Sequence, residues 1–308
     1  MAYRLEEGEE VAAGIRRIAR EQVDGALASL GEPGADPSAA VHDARKRLKK
    51  TRAVLRLVRR QIGEDVFQRE NTAYRDAGKL LAPARETAVA VETVEGLRER
   101  FPDTLASAAV EDLAATLRDR KERTLVRTLG PEGPRDRALR RIDAARGRID
   151  EWPLDGDGFE VVGPGLEKVY KRARRRMEDA YSDPAADRFH EWRKRVKYLW
   201  YHLRILHRIW PAAMSVAADE AHEVADFLGD ANDLHDFRER LAEGSDLPLP
   251  APLRSTLDGI ASRGQEALWT AARPLGQRLL AEGRARFVAR TQAYWRSAPI
   301  RSPRDPWS

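Results

Sequence analysis

The stretch VHDARKRLKKTRAVLRLVRR, residues 41–60, returns as FHEWRKRVKYLWYHLRILHR at residues 189–208. An unbroken offset of 148 superimposes His42 on His190, Arg45 on Arg193, Lys46 on Lys194, Arg47 on Arg195, Lys49 on Lys197 and Arg56 on Arg204. The apolar positions follow the same offset, Val41 with Phe189, Leu48 with Val196, Leu55 with Leu203 and Leu57 with Ile205. Six identical polar residues at one spacing exceed what composition produces, even in a chain with 55 Lys and Arg. The flanks repeat in the same order. Asp36-Pro37 and Asp183-Pro184 precede the two copies, each reading as an N-cap followed by the proline favoured at the first helical position. Upstream, GIRRIAR (residues 14–20) matches GLEKVYK (165–171), pairing Arg17 with Lys168 and Arg20 with Lys171. Downstream, LAPARE (81–86) matches LGDAND (228–233). Such ordered self-similarity marks a duplicated unit, and its halves are expected to pack about a pseudo-twofold axis.

At 3.6 residues per turn, His42, Arg45, Lys46, Lys49, Arg52 and Arg56 fall within one stripe about 120° wide. Ala44, Leu48, Thr51, Val54, Leu55 and Val58 lie opposite and supply the core face. In the second copy His190, Arg193, Lys194, Lys197, Tyr201 and Arg204 share the corresponding stripe, opposite Trp192, Val196, Leu199, Leu203 and Leu206. From histidine to last arginine each stripe runs roughly 21 Å. A further stripe is carried by Lys168, Lys171, Arg172 and Arg175. Aligned cations repel one another, by roughly 0.2–0.5 kcal/mol per pair. Neither histidine-bearing stripe contains an acid, so an external anion is the expected source of compensation.

Apolar spacing of three and four residues recurs throughout, with no run of alternating β-branched residues, and the fold class is read as all-α. Helices are expected near 6–30, 37–61, 64–81, 85–100, 103–129, 134–151, 163–181, 184–208, 211–229, 231–242, 250–270 and 273–297. They group into two homologous helical halves, 5–151 and 163–295. The Pro- and Gly-containing stretch 152–162 serves as linker, and 297–308, with three prolines, forms a disordered tail.

Net charge is only +5, but its distribution is uneven. Residues 41–60, 166–176 and 188–208 carry +8, +5 and +6, which leaves −14 for the rest of the chain. Concentrated cationic segments on an acidic body are the pattern of a polyanion-binding surface. The chain has no cysteine, which excludes disulfides and thiolate chemistry. The acidic start lacks a signal-peptide pattern and no apolar run is long enough to span a membrane, so a cytoplasmic location is expected.

No Walker-type glycine loop, G-x-S-x-G or H-E-x-x-H motif is present, and the basic stripes offer neither metal-holding carboxylates nor a general base. No cofactor and no enzymatic activity are expected. The strongest catalytic alternative is a metal-dependent phosphohydrolase built on His222, Asp233, His235 and Asp236, where the spacing is ligand-like. Nucleic acid competes as a ligand because its backbone is also a chain of phosphates. The aromatic residues that stacking would use, Trp200 and Tyr201, are replaced by Arg52 and Ala53 in the first copy.

The paired H-x-x-R-K-x-x-K helices, with L-G-x-x-N-D at 228–233 and its weaker partner at 81–86, resemble the conserved histidine α-helical domain, or CHAD, family over about residues 5–295. The resemblance implies two four-helix bundles related by a pseudo-twofold and a basic surface that binds long-chain inorganic polyphosphate, with localisation at polyphosphate granules and polyphosphate-metabolising enzymes as partners. Sulfate or phosphate would be an expected occupant of such a site in crystals. It places Arg17, Arg20, His42, Arg45, Lys46, Lys49, Arg56, Lys168, Lys171, Arg172, Arg175, His190, Arg193, Lys194, Lys197 and Arg204 at the ligand surface. Arg52 joins them through its place on the first stripe. The chain departs from the family pattern at Ala82 and Glu86, where glycine and aspartate are preferred. The E-x-E-x-K strand of an attached triphosphatase domain of the CYTH type is absent from the sequence.

Overall fold

The structure, a computed structural model, describes residues 3–32, 34, 36–243 and 249–298. Every regular element among them is helical. In chain order these are α1 (Val11–Gly31), α2 (Pro37–Leu57), α3 (Arg59–Ile62), α4 (Glu64–Leu80), α5 (Ala82–Arg100), α6 (Pro102–Leu105), α7 (Ala108–Leu129), α8 (Pro134–Arg146), α9 (Phe159–Ser182), α10 (Ala186–Ile205), a 3₁₀ turn at His207–Ile209, α11 (Pro211–Glu243), α12 (Ala251–Leu279) and α13 (Arg284–Ser297). The tail expected to be disordered lies outside the described residues from 299 onward.

Several boundaries differ from those read in the sequence, each for a local reason. The linker expected over 152–162 is already helical from Phe159, and Pro164 lies inside α9. Glycine here serves close packing: a Cβ on Gly165 would stand 1.9 Å from the Leu57 carbonyl oxygen, so only glycine lets α9 approach the end of α2 this closely. The break expected after Gly229 is absent, and α11 runs unbroken for 33 residues. In the matching place of the first half, Pro83 cannot donate to the carbonyl four residues earlier, and α4 gives way to α5 at Leu81. The break expected between 270 and 273 falls instead after Leu279. Asp36 caps α2 as read, accepting from the Ala39 amide at 3.0 Å, whereas α10 starts after Ala185 and Asp183 pairs with Arg188.

Helix α1 packs on α2 and α9 on α10, while α2 and α10 meet each other at the centre. The larger core draws on α1, α2, α4, α8, α9, α10, α13 and the first part of α11. Trp152 and Trp192 lie within it, 1% and 0% exposed; truncating a buried tryptophan to alanine costs about 3–5 kcal/mol. A smaller core joins α5 and α7 to the last turns of α11 and the start of α12 through Val94, Leu113, Phe237 and Ile260. Both cores therefore combine residues from both sides of the interhalf segment.

Polar contacts set the spacing of α2 and α10. His202 is fully buried, and burial pushes its imidazole down to about 4; the neutral ring donates from Nε2 to the Ala53 carbonyl at 2.9 Å. The Tyr3 hydroxyl donates to the Lys50 carbonyl at 2.9 Å and the Leu5 amide to the Ile205 carbonyl at 3.0 Å. The amino-terminal segment thus straps the ends of the two cationic helices together.

Candidate functional site

Helices α2 and α10 turn the first halves of their stripes into one cleft of about 460 Å³, closed by α5 and α11. His42, Arg45, Lys46 and Lys49 line it from α2, His190, Arg193 and Lys197 from α10, and Arg85 and Arg240 from α5 and α11. Burial and the positive charges of Arg45, Lys197, Arg193 and Arg85 push the Lys49 ammonium down to about 7. Lys49 keeps solvent access along the groove, but the surrounding protein removes much of its hydration. Lys197 is pushed down to about 8 by burial and by Arg193, and its ammonium stands 5.6 Å from the centre of the Trp200 ring.

The two arginines are held by matching contacts. Arg45 donates from Nη1 to the Gly78 carbonyl, and Arg193 from Nε to the Ala225 carbonyl at 3.4 Å. Gly229 explains how Arg193 reaches this position, since a Cβ there would stand 2.8 Å from its Nη2. The histidines differ in their support. His190 Nδ1 donates to the Asn232 side-chain oxygen, and Asn232 Nδ2 donates to Asp236 at 3.0 Å. That leaves Nε2 of the neutral ring as the free edge. His42 faces Arg85 in the place corresponding to Asn232, and burial, Arg85, Lys46 and Lys49 lower its pKa. Arg85 itself forms a two-pronged pair with Glu92 at 2.8 and 3.0 Å.

The opposite wall corrects the expectation that compensation comes only from outside. Glu86, Asp226, Asp233 and Asp236 also line the cleft, four carboxylates against seven Lys and Arg. The balance stays positive, and burial weakens the acids further: Asp233 is pushed up to about 6, and Asp236 is raised. On sequence Asp233 and Asp236 entered only the metal-dependent alternative, and Glu86, Asp226, Arg85 and Arg240 were not assigned to the polyphosphate surface. The offset of 147 that pairs LAPARE with LGDAND was the available signal, because it puts Arg85 opposite Asn232 and Glu86 opposite Asp233.

The remaining predicted residues do not converge on the cleft. Arg17 is held within the protein, bidentate to Glu9 at 2.6 and 2.8 Å, bonded to Glu21 at 3.0 Å and to the Arg4 carbonyl at 2.9 Å. Arg20 pairs with Asp150, and Lys194 with Glu191. Arg52 and Arg56 share the Asn71 side-chain oxygen at 3.1 and 2.9 Å, and the Arg56 guanidinium stacks 4.3 Å from the Tyr198 ring centre. Lys168 and Arg172 lie beside Arg59, and Arg172 also beside Arg195, forming a cationic surface away from the cleft lining. Lys171 and Arg175 are exposed on α9. Arg204 stands over Tyr3 and Trp200, 5.8 and 5.5 Å from their ring centres. Arg52, however, joins Arg45 and Lys49 in lining a shallower groove of about 190 Å³ with Arg75 and Lys79.

For the phosphohydrolase alternative, His222 pairs with Asp226 at 3.0 Å and His235 with Glu239 at 3.4 Å. Among the described residues no group of three or more His, Asp or Glu is arranged to hold a metal ion. No helix among them is long and apolar enough to cross a membrane.

The family model described as the CHAD domain matches residues 17–242. The crystal structure of the CHAD domain from the plant Ricinus communis superposes with a TM-score of 0.68 at 18% identity, covering 92% of this chain and 96% of that one. PptA from Streptomyces chartreusis superposes with a TM-score of 0.58 at 15% identity, covering 89% and 100%. No curated protein matches the chain.

Proposed function

Because the chain belongs to the CHAD family, we propose that it binds long-chain inorganic polyphosphate in the cleft between α2 and α10, and acts by binding, not by catalysis. The observation that carries this reading is the convergence of Arg45, Lys46, Lys49, Arg85, Arg193, Lys197 and Arg240 on one cleft. A chain of phosphates entering the cleft would neutralise this cluster. Arginine answers phosphate with paired hydrogen bonds, lysine with a compact charge, and His190, once protonated, with the Nε2–H of a ring fixed by Asn232. Many weak contacts along a flexible polyanion make affinity rise with chain length and fall steeply with salt.

The duplication read in the sequence belongs to the same proposal. Supporting it are the repeated pairings of α1 with α2 and α9 with α10, and the matching anchors of Arg45 and Arg193. In this reading each half contributes one H-x-x-R-K-x-x-K helix to a shared site, and the biological role is recruitment to polyphosphate granules or to enzymes that act on the polymer.

The test is joint charge removal at Arg45, Lys49, Arg193 and Lys197, with polyphosphate binding measured by calorimetry and helicity by circular dichroism. Binding should vanish while helicity persists; retained affinity refutes the site. A competition arm addresses specificity. Displacement of long polyphosphate by single-stranded or duplex nucleic acid at equal phosphate concentration would favour the nucleic-acid reading.

A further inference from the structure

Beyond the cleft lies a second depression of about 510 Å³, between α5 and α7. Arg120, Arg123 and Arg127 line it from α7, and Arg240 from α11; among the described residues Glu86 is the one acid in its lining. Arg240 and Glu86 also line the cleft, so the two spaces share a border. Positions 120, 123 and 127 fall on one face of α7 and extend over roughly 10 Å of helix. Toward the amino end of α7, on the arc adjoining these arginines, Leu113 and Leu117 are spent on the smaller core. Arg123 and Arg127 are exposed, and the ion pair of Arg123 with Asp119 at 2.7 Å joins side chains 71% and 60% exposed. An ion pair that open to water contributes little and yields readily to a stronger anion. No part of α7 takes part in the repeated motif, so this row of arginines is independent of the symmetry that marks the cleft.

We infer that the polyanion track leaves the cleft past Arg240 and continues along the arginine face of α7, making this groove the subsite that discriminates long polyphosphate chains from short ones. The inference rests on the cleft being the primary polyphosphate site. Its physical basis is effective concentration. A chain held in the cleft presents its next phosphates to α7 at no further association cost, whereas a chain confined to the cleft gains nothing from it. Arginine pairs there would each release counterions, so they also steepen the salt dependence.

The experiment compares wild type, Arg123→Glu/Arg127→Glu and a cleft variant, Arg193→Ala/Lys197→Ala, against tripolyphosphate and long-chain polyphosphate by calorimetry at two salt concentrations. The α7 variant should lose roughly tenfold or more in affinity for the long chain and about 1.4–1.8 in salt slope, with the short chain changed less than twofold. Arg123→Lys/Arg127→Lys should retain most of the long-chain affinity, which separates lost charge from disturbed folding. Unchanged long-chain affinity and slope in the α7 variant, or equal losses for both lengths, overturns the extension while a weakened cleft variant leaves the primary site standing. Full retention of both affinities in the cleft variant overturns the primary site and the extension with it.

Discussion

Arg45 and Arg193 enter one cleft from different helices, and each rests its guanidinium on a backbone carbonyl of the next long helix, at Gly78 and Ala225 respectively. The arginines are 148 residues apart and their anchors 147. One set of contacts is thereby made twice, and it aims two fixed cations at a common space.

The cleft holds charge at the expense of stability, and Lys49 is the sharpest case. Its folded pKa is depressed to about 7, so below that pH the protein carries the full cost of a poorly hydrated ammonium. Between the folded and unfolded values the unfolded chain binds more protons, and this residue's contribution to stability rises with pH. Lys49→Met should raise the melting temperature at pH 6 and weaken polyphosphate binding. A scan showing a lower melting temperature would contradict the electrostatic account.

Binding should take up protons. Phosphate in the cleft favours the charged forms of Lys49 and Lys197, whose free values are about 7 and 8, and the protonated form of Asp233, whose value is about 6. His42 and His190, depressed chiefly by burial, respond in the same direction. Affinity should therefore fall as pH rises from about 6 to about 9, with proton uptake visible as a dependence of binding enthalpy on buffer ionisation. Lys49→Arg, whose charge persists throughout this range, should flatten the upper part of the profile.

Asn232 positions His190. Its side-chain oxygen accepts from Nδ1, a bond that favours the protonated ring and partly offsets the lowering by burial. Asn232→Ala should move the His190 titration midpoint further down in an NMR titration, by an amount that leaves His42 unaffected. Polyphosphate affinity should drop by a few-fold as the ring loses its fixed edge.

Arg17 should matter to folding and not to ligand. Its bonds to Glu9, Glu21 and the Arg4 carbonyl tie the amino-terminal segment to α1. Arg17→Ala should cost about 1–3 kcal/mol in denaturant unfolding and leave polyphosphate affinity within twofold. A large affinity loss with unchanged stability would return Arg17 to the binding surface.

Close approach of α9 to α2 depends on Gly165. With no space between a Cβ and the Leu57 carbonyl, Gly165→Ala forces the helices apart, and overpacking of this kind costs typically about 1–3 kcal/mol or more. A variant with wild-type unfolding midpoint would contradict the packing described.

Much of this protein was readable one element at a time. The 3.6-residue rhythm marked helices, the offset of 148 paired His42 with His190 and Lys49 with Lys197, and both members of each pair do line the cleft. The boundary expected after Gly229 falls inside α11, because a glycine that ends a helix and one that makes room for a neighbouring side chain look alike in sequence. The acid partners of Arg17 and Arg20 were not legible for a related reason: Glu9 and Asp150 become their neighbours only through folding.

The periodic placement of cations is a property of each helix alone, so the amino-acid order already determined that α2 and α10 would each carry a basic face. Which part of that face would meet its twin was decided by packing. The contacts joining α2 to α10, and the walls supplied by α5 and α11, turn Arg45, Lys49, Arg193 and Lys197 toward one another. They leave Arg56, which stacks on Tyr198, outside the cleft lining. Burial within that shared space, which no single helix can create, is what depresses Lys49 and raises Asp233.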